Sequence, residues 1–114
     1  MLTCMRKRLE DWMEMLQDAN VVARCTAARA LGQMGAQARE ALPALLQALQ
    51  DREPLVRDAA ADAIGCIGPD APGAVLALMQ ALTDTNSFVQ ATAARALKKA
   101  DGRFAANLKL DVSR

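Results

Sequence analysis

The sequence predicts an all-α fold, a right-handed α-α superhelix that forms a short solenoid of three antiparallel helix pairs. The segment 51–68 recurs at 18–35 and again at 84–100, at a constant interval without a gap, which is the signature of stacked repeats. Between the copies, apolar residues fall at helical spacing. Hydrophobic residues make up 53% of the chain but only one Trp and two Phe are present, so we expect an aliphatic core between closely packed helices.

The copies share a turn aspartate and a set of small or aliphatic helix positions. The first copy matches the central one at Arg24, Ala27, Ala28, Ala30, Leu31, Gly32, Met34 and Gly35, and the third at Asp84, Val89, Ala93, Ala94, Ala96 and Leu97. We therefore predict one domain over residues 1–114, with repeats at about 2–35, 36–68 and 69–100 and a C-terminal capping tail at 101–114. Leu31, Ile64 and Leu97 should be equivalent buried positions.

The first helix of each pair is predicted from its apolar stripe. Residues 2–16 form an amphipathic helix in which Trp12 faces the core, and this helix matches the later copies poorly, as a terminal element should. The equivalent helices are expected at about 39–50 and 72–83. Pro43 fits only in the first turn of its helix or at a kink.

The second helix of each pair has clear start and stop signals. Asn20 and Asn86 are predicted N-caps, and Pro54 supplies the first helical residue of the second copy. We expect these helices at about 21–34, 54–67 and 87–100. Gly35 and Gly68 should close the first two in a left-handed conformation, and 101–102 should close the third. Gly32 and Gly65 lie inside the helices, which indicates a close helix crossing or an early C-terminal turn.

Composition excludes several classes of function. The net charge of +1 comes from 14 basic and 13 acidic residues, so no global field would collect nucleic acid or an anionic membrane. No apolar run is long enough to span a bilayer. Cys4, Cys25 and Cys66 lack the spacing of a disulfide framework or a zinc site. We expect a reduced, cytoplasmic protein with no cofactor and no metal.

The repeat resembles the HEAT-like repeat of the phycobilisome-lyase type. The residues that carry the resemblance best are Asp51, Val56, Arg57, Ala60, Ala63, Ile64 and Gly65, and it covers about residues 17–100. The resemblance implies a polar ladder along the solenoid, formed by Asp18, Asp51 and Asp84 with Arg24 and Arg57. Gln90 replaces the arginine in the third copy, so the last rung departs from the pattern.

The resemblance also implies a concave side lined by the second helices. Its exposed positions recur in three rows: Cys25, Asp58 and Ala91; then Arg29, Asp62 and Arg95; then Gln33, Cys66 and Lys99. We interpret Arg29, Asp58, Asp62, Arg95 and Lys99 as a protein-binding site, with a row of weak surface ion pairs as the alternative.

The repeats explain nearly every residue and leave no catalytic constellation, so the sequence favours a non-catalytic interaction module or small scaffold. The alternative is an accessory subunit or small member of a bilin-lyase-like enzyme family. Such an enzyme would have to use Cys25 or Cys66 with Asp58 and Asp62, because the chain has no histidine to act as a base. The apolar tail from Phe104 to Val112 could instead form a homodimer through the C-terminal end.

Overall fold

The computed structural model describes residues 8–112, with side chains described for residues 8–102. The helices are Leu9–Met15 (α1), Val21–Met34 (α2), Leu42–Ala48 (α3), Pro54–Ile67 (α4), Ala74–Ala81 (α5) and Ser87–Val112 (α6), and a 3-10 segment, Gly35–Ala41, precedes α3. Three features of the sequence lie outside the described residues: Cys4, the start of the first helix, which was predicted at Leu2, and the side chains of the tail after Gly102.

The helices form two layers. α4 packs against both α2 and α6, and these three helices make the long-helix layer. α1, α3 and α5 pack on α2, α4 and α6 respectively and make the short-helix layer. The short connections between the members of each pair favour antiparallel neighbours. The chain is thus all-helical over the described residues, as predicted.

The predicted starts of the second helices are confirmed. The Asn20 side chain accepts from the backbone N–H groups of Val22 and Ala23, at 2.7 and 3.3 Å, and so satisfies two donors of the first turn. Asn86 does the same at the start of α6. Pro54 is the first residue of α4, where the missing N–H costs no hydrogen bond.

Two predictions about helix ends are wrong. Neither glycine closes its helix in the left-handed conformation: Gly35 has a positive φ of 61° but a ψ of −140°, and Gly68 closes α4 with φ −173°, which is extended backbone open to any residue. α6 does not end at Ala100: it continues through Gly102 to Val112, because no proline follows and nothing crowds that glycine. The tail 101–112 is therefore a continuation of the last helix.

The short-helix layer is shorter than predicted. α3 begins at Leu42 rather than near Arg39, because the preceding residues form a 3-10 turn with a non-helical Ala38, and Pro43 then occupies the first turn. α5 begins only after Gly73, whose φ of 85° stops a helix from starting at Pro72.

Close crossings explain the internal glycines. A Cβ on Gly32 would lie 3.1 Å from the Cα of Ala63, and a Cβ on Gly65 would lie 3.0 Å from the Cβ of Ala96. In each case the glycine of one repeat meets an alanine of the next, so the long helices pack backbone to backbone. This confirms the first of the two roles expected for these glycines.

We expect Gly65→Val to lower the free energy of unfolding by about 1–3 kcal/mol, because the added methyl groups must push α4 and α6 apart. Gly102→Val is the matched control, since Gly102 is exposed, helical and has nothing within 4 Å of its added Cβ. The control should change stability by about 0.5 kcal/mol or less. Urea unfolding measures both, and equal stability of the two variants would contradict the close crossing.

The core lies between the layers. Leu31 and Ile64 are completely buried, as predicted, and Leu45 of α3 and Leu78 of α5 are completely buried in the same core. Leu97 is only half-buried, contrary to prediction, because no further repeat packs against that side of α6 within the described residues. Trp12 is likewise half-buried and packs against the edge of the core. Over the described residues, no helix combines the length and the apolar character that crossing a membrane requires.

Candidate functional site

The structure joins successive repeats through arginine and aspartate. Arg24 donates from Nε and Nη2 to the carboxylate of Asp51, at 2.8 and 3.1 Å, and Arg57 donates in the same way to Asp84, at 2.8 and 3.0 Å. Each arginine thus reaches the turn aspartate of the following repeat. A bidentate pair of this kind fixes geometry as well as adding energy.

The same arginines also hold the turn of their own repeat. The Nη1 atom of Arg24 donates to the backbone oxygens of Asp18 and Ala19, and that of Arg57 donates to those of Asp51 and Arg52. One guanidinium therefore satisfies two turn carbonyls and one carboxylate. Each network uses four of the five N–H donors of its guanidinium, more than the three donors that a lysine has.

Hydrogen bonding sets the ionisation of the two paired aspartates. The hydrogen bond from Arg57 lowers the pKa of Asp84 below its ordinary value, against the opposing effect of burial, and the backbone N–H of Asn86 contributes in the same direction. Burial alone would raise the pKa of Asp51, but the hydrogen bonds from Arg24 and the Glu53 N–H outweigh it, so this pKa is lowered as well.

The two ends of this network differ from its middle. No guanidinium reaches the carboxylate of Asp18 among residues 8–102, and this carboxylate accepts from the backbone N–H of Asn20 instead. In the third repeat Gln90 donates to the backbone oxygen of Asp84, as the arginines do to theirs, but without a carboxylate partner. The glutamine thus keeps the contact within the repeat and drops the contact between repeats.

The predicted binding residues lie on the long-helix layer. We call Arg29, Asp62 and Arg95 the charged row, and all three are exposed. They alternate in sign along three neighbouring helices, because equivalent positions come from α2, α4 and α6. Lys99 is also exposed, one turn further along α6, with Nζ 3.8 Å from the Sγ of Cys66.

Asp58 differs from its neighbours because it is half-buried and bonded. Its carboxylate accepts a hydrogen bond from the hydroxyl of Thr92, which is 5% exposed, and that hydroxyl in turn accepts from Arg95 at 3.3 Å. Asp58 therefore ties α4 to α6 and is less available to a partner than the charged row. The sequence analysis missed Thr92, because its equivalents are Thr26 and Ala59 and no partner for Asp58 recurs at this position of the repeat.

A second exposed row on the same helices also escaped the sequence analysis. Val22, Leu55 and Phe88 are 71%, 61% and 74% exposed, and we call them the apolar row. They recur at the repeat interval, each seven positions before a member of the charged row. The signal in the sequence is a large apolar residue at the same position of all three copies, but the three residues are not identical, so the match between the copies did not include them.

The repeat match decides the family. The sequence matches the HEAT repeats family over residues 9–98, which is most of the chain. The chain belongs to the HEAT repeat family. No curated protein matches it. The match begins at the start of α1 and ends within α6, so all three helix pairs take part in it.

In this HEAT protein, clefts separate the helices of the short-helix layer, whereas the helices of the long-helix layer cross closely. A cleft of about 160 Å³ lies between α1 and α3, and one of about 450 Å³ lies between α3 and α5. The second is lined by the equivalents of all the residues that line the first: Leu49, Gln50, Ala77, Gln80, Ala81 and Asp84 repeat Leu16, Gln17, Ala44, Gln47, Ala48 and Asp51. These clefts therefore belong to the repeat itself.

The last repeat leaves apolar surface uncovered. Leu42 in α3 and Leu49 directly after it are each 6% exposed, whereas their equivalents, Val75 in α5 and Leu82 directly after it, are each 39% exposed. A cavity of about 440 Å³ lies beside Val75 and Leu97. The difference arises because the following repeat covers this side of the α3 segment, whereas among residues 8–102 no further repeat covers the equivalent side of the α5 segment.

Proposed function

We propose that this HEAT protein is a non-catalytic protein-binding module or small scaffold that engages its partner through the long-helix layer. The observation that carries the proposal is the charged row, exposed and alternating in sign on helices whose opposite side forms the core. HEAT repeats commonly mediate protein–protein interaction, and stacked helix pairs provide extended surfaces for it. The partner is a protein rather than nucleic acid or a membrane, and the site of action is the cytoplasm.

The proposal includes the shape of the surface. We infer a right-handed superhelix of the phycobilisome-lyase repeat type, with the long-helix layer on its concave side. The glycine crossings bring α2, α4 and α6 close together, while the clefts separate α1, α3 and α5. Close packing on one side and wider spacing on the other favours curvature toward the long helices.

Several observations support a role without chemistry, cofactor or metal. Burial raises the pKa of Cys25, outweighing the nearby Arg29, so its neutral thiol rather than the nucleophilic thiolate is favoured at neutral pH. Asp58, a carboxylate that a thiol enzyme would need, is bonded to Thr92. The arginines Arg24 and Arg57 are committed to the turns.

Reversing the charges of the two arginines in the charged row should weaken partner binding at least about tenfold and flatten its salt dependence, because exposed charges steer association. The variant is Arg29→Glu with Arg95→Glu. Stability should change by about 1 kcal/mol or less, allowing for the hydrogen bond from Arg95 to Thr92. The measurement is binding of a partner captured by the wild-type protein, as a function of salt concentration.

The matched control is Arg39→Glu with Arg52→Glu, which makes the same change of net charge at exposed positions outside the long-helix layer. The control should bind as the wild type does. If the two double variants bind equally, the charged row is not the binding site.

A second binding mode is favoured by the uncovered apolar surface of α5. Through Val75, Leu82 and the half-buried Leu97, two copies of the chain would form a homodimer at the C-terminal end. Val75→Ser with Leu82→Ser separates the two modes, since it removes apolar side chains from this surface and leaves the charged row unchanged. Loss of the dimer in analytical ultracentrifugation on that change, together with normal binding of the captured partner, would assign self-association to this surface and partner binding to another.

A further inference from the structure

The apolar row and the charged row lie on one side of the same three helices. Val22 and Arg29 are separated by seven residues, or about 10.5 Å along α2, and by almost two full turns. The same offset relates Leu55 to Asp62 and Phe88 to Arg95. The two rows are therefore parallel and cross all three helices.

The strip of surface between the two rows is recessed relative to them. Its residues are Cys25, Asp58 and Ala91, of which Cys25 and Asp58 are half-buried and Ala91 has only a methyl group. Large exposed side chains thus border a strip of small or partly buried ones on both sides. The distance between the borders matches the diameter of an α-helix, about 10–12 Å with its side chains.

We propose that this strip binds an amphipathic α-helix of a partner protein, lying across α2, α4 and α6 with its apolar side on the apolar row. The inference rests on the proposed function and specifies the chemistry of the partner. Single exposed apolar residues are ordinary, but Val22, Leu55 and Phe88 recur at the repeat interval and are each more than 60% exposed.

The spacing of the repeats specifies the period of the partner. Closely packed helices lie about 8–10 Å apart, and residues seven apart on an α-helix lie on one side, separated by about 10.5 Å. Apolar residues at positions i, i+7 and i+14 of the partner can therefore each reach one member of the apolar row. Such a helix needs at least 15 residues, about the length at which an isolated helix begins to be stable.

Charge specifies the pattern of charged residues on the partner. The charged row runs positive, negative, positive through Arg29, Asp62 and Arg95. The complementary helix carries an acidic, a basic and an acidic residue at the same seven-residue interval, displaced from its apolar stripe. A helix with the opposite signs would place like charges together at all three positions, which disfavours its binding.

A display library of random 18-residue peptides tests this inference directly. Selection on the wild-type protein should enrich peptides with a seven-residue apolar period and the acidic, basic, acidic pattern. The selected peptides should bind Leu55→Ser with Phe88→Ser at least about tenfold more weakly than they bind the wild type. They should bind Leu76→Ser normally, since Leu76 is 64% exposed but belongs to α5 in the other layer.

Two results would overturn the inference: selected peptides with a three-residue period, which indicates a polyproline helix, or peptides indifferent to Leu55→Ser with Phe88→Ser. Failure of the proposed function is recognised separately, by a captured partner that binds Arg29→Glu with Arg95→Glu as well as it binds the wild type. A captured partner that is lost on reversal of the charged row but retained by the serine variant would leave the proposed function standing and reject the amphipathic helix.

Discussion

Ile64→Ala is expected to lower the free energy of unfolding by about 2–5 kcal/mol, since it removes three carbons from a completely buried site. Ile64 lies in α4, which contacts both other long helices and α3, so the cavity cannot be closed without moving several elements. For a domain of this size the loss corresponds to a fall in melting temperature of about 10 °C or more. Thermal unfolding followed by circular dichroism measures it.

Leu97→Ala and Leu76→Ala are the controls for this experiment. Leu97 is the repeat equivalent of Ile64 but only half-buried, so its truncation should cost about 1–2 kcal/mol. Leu76 is 64% exposed and should cost about 0.5 kcal/mol or less. Equal losses at the two equivalent positions would mean that the third repeat is covered as fully as the second.

Local signals made the starts of the long helices predictable to the residue. Asn20 and Pro54 act through their own side chains on the next few backbone groups, so the first residues of α2 and α4 follow from sequence alone. The constant repeat interval then placed the equivalent core positions, because repetition supplies the tertiary information that one segment lacks. The buried pair Leu31 and Ile64 was predicted in this way.

Features that depend on neighbours were harder to predict. Leu97 has the sequence of a core residue, and its half-burial reflects which helices pack beside α6. Asp101 and Gly102 have the composition of a helix end, yet α6 passes through both because no competing contact stops it. The apolar row was hidden for another reason: Val22 and Phe88 share a position but not an identity, and identity was the signal that aligned the copies.

Within the candidate site, the environment of Asp58 likewise depends on neighbouring helices and could not be predicted from sequence. Its repeat position places it beside the charged row, but its bond to Thr92 depends on how α4 and α6 meet. Arg29, Asp62 and Arg95 have the exposure that their helical positions indicate. Exposure follows from periodicity, whereas pairing between helices follows from packing.

Arg57→Leu is expected to lower the free energy of unfolding by about 3 kcal/mol at pH 7, because it leaves the Asp84 carboxylate, 12% exposed, without its cationic partner. The carbonyls of Asp51 and Arg52 lose a donor as well. Arg52→Leu is the matched control, since it deletes an exposed arginine in the preceding turn and should change stability by about 0.5 kcal/mol or less.

Acid should reduce the difference between the wild type and Arg57→Leu. The folded-state pKa of Asp84 is lowered by Arg57, so the stability that this pair contributes is present above the unfolded pKa of about 3.9. That contribution is lost as the pH falls through the lower pKa of the folded state. The difference between the melting temperatures should therefore shrink between pH 7 and pH 2 to the part that comes from the bonds to the carbonyls of Asp51 and Arg52. A difference that stays constant would mean that the ion pair with Asp84 contributes no stability.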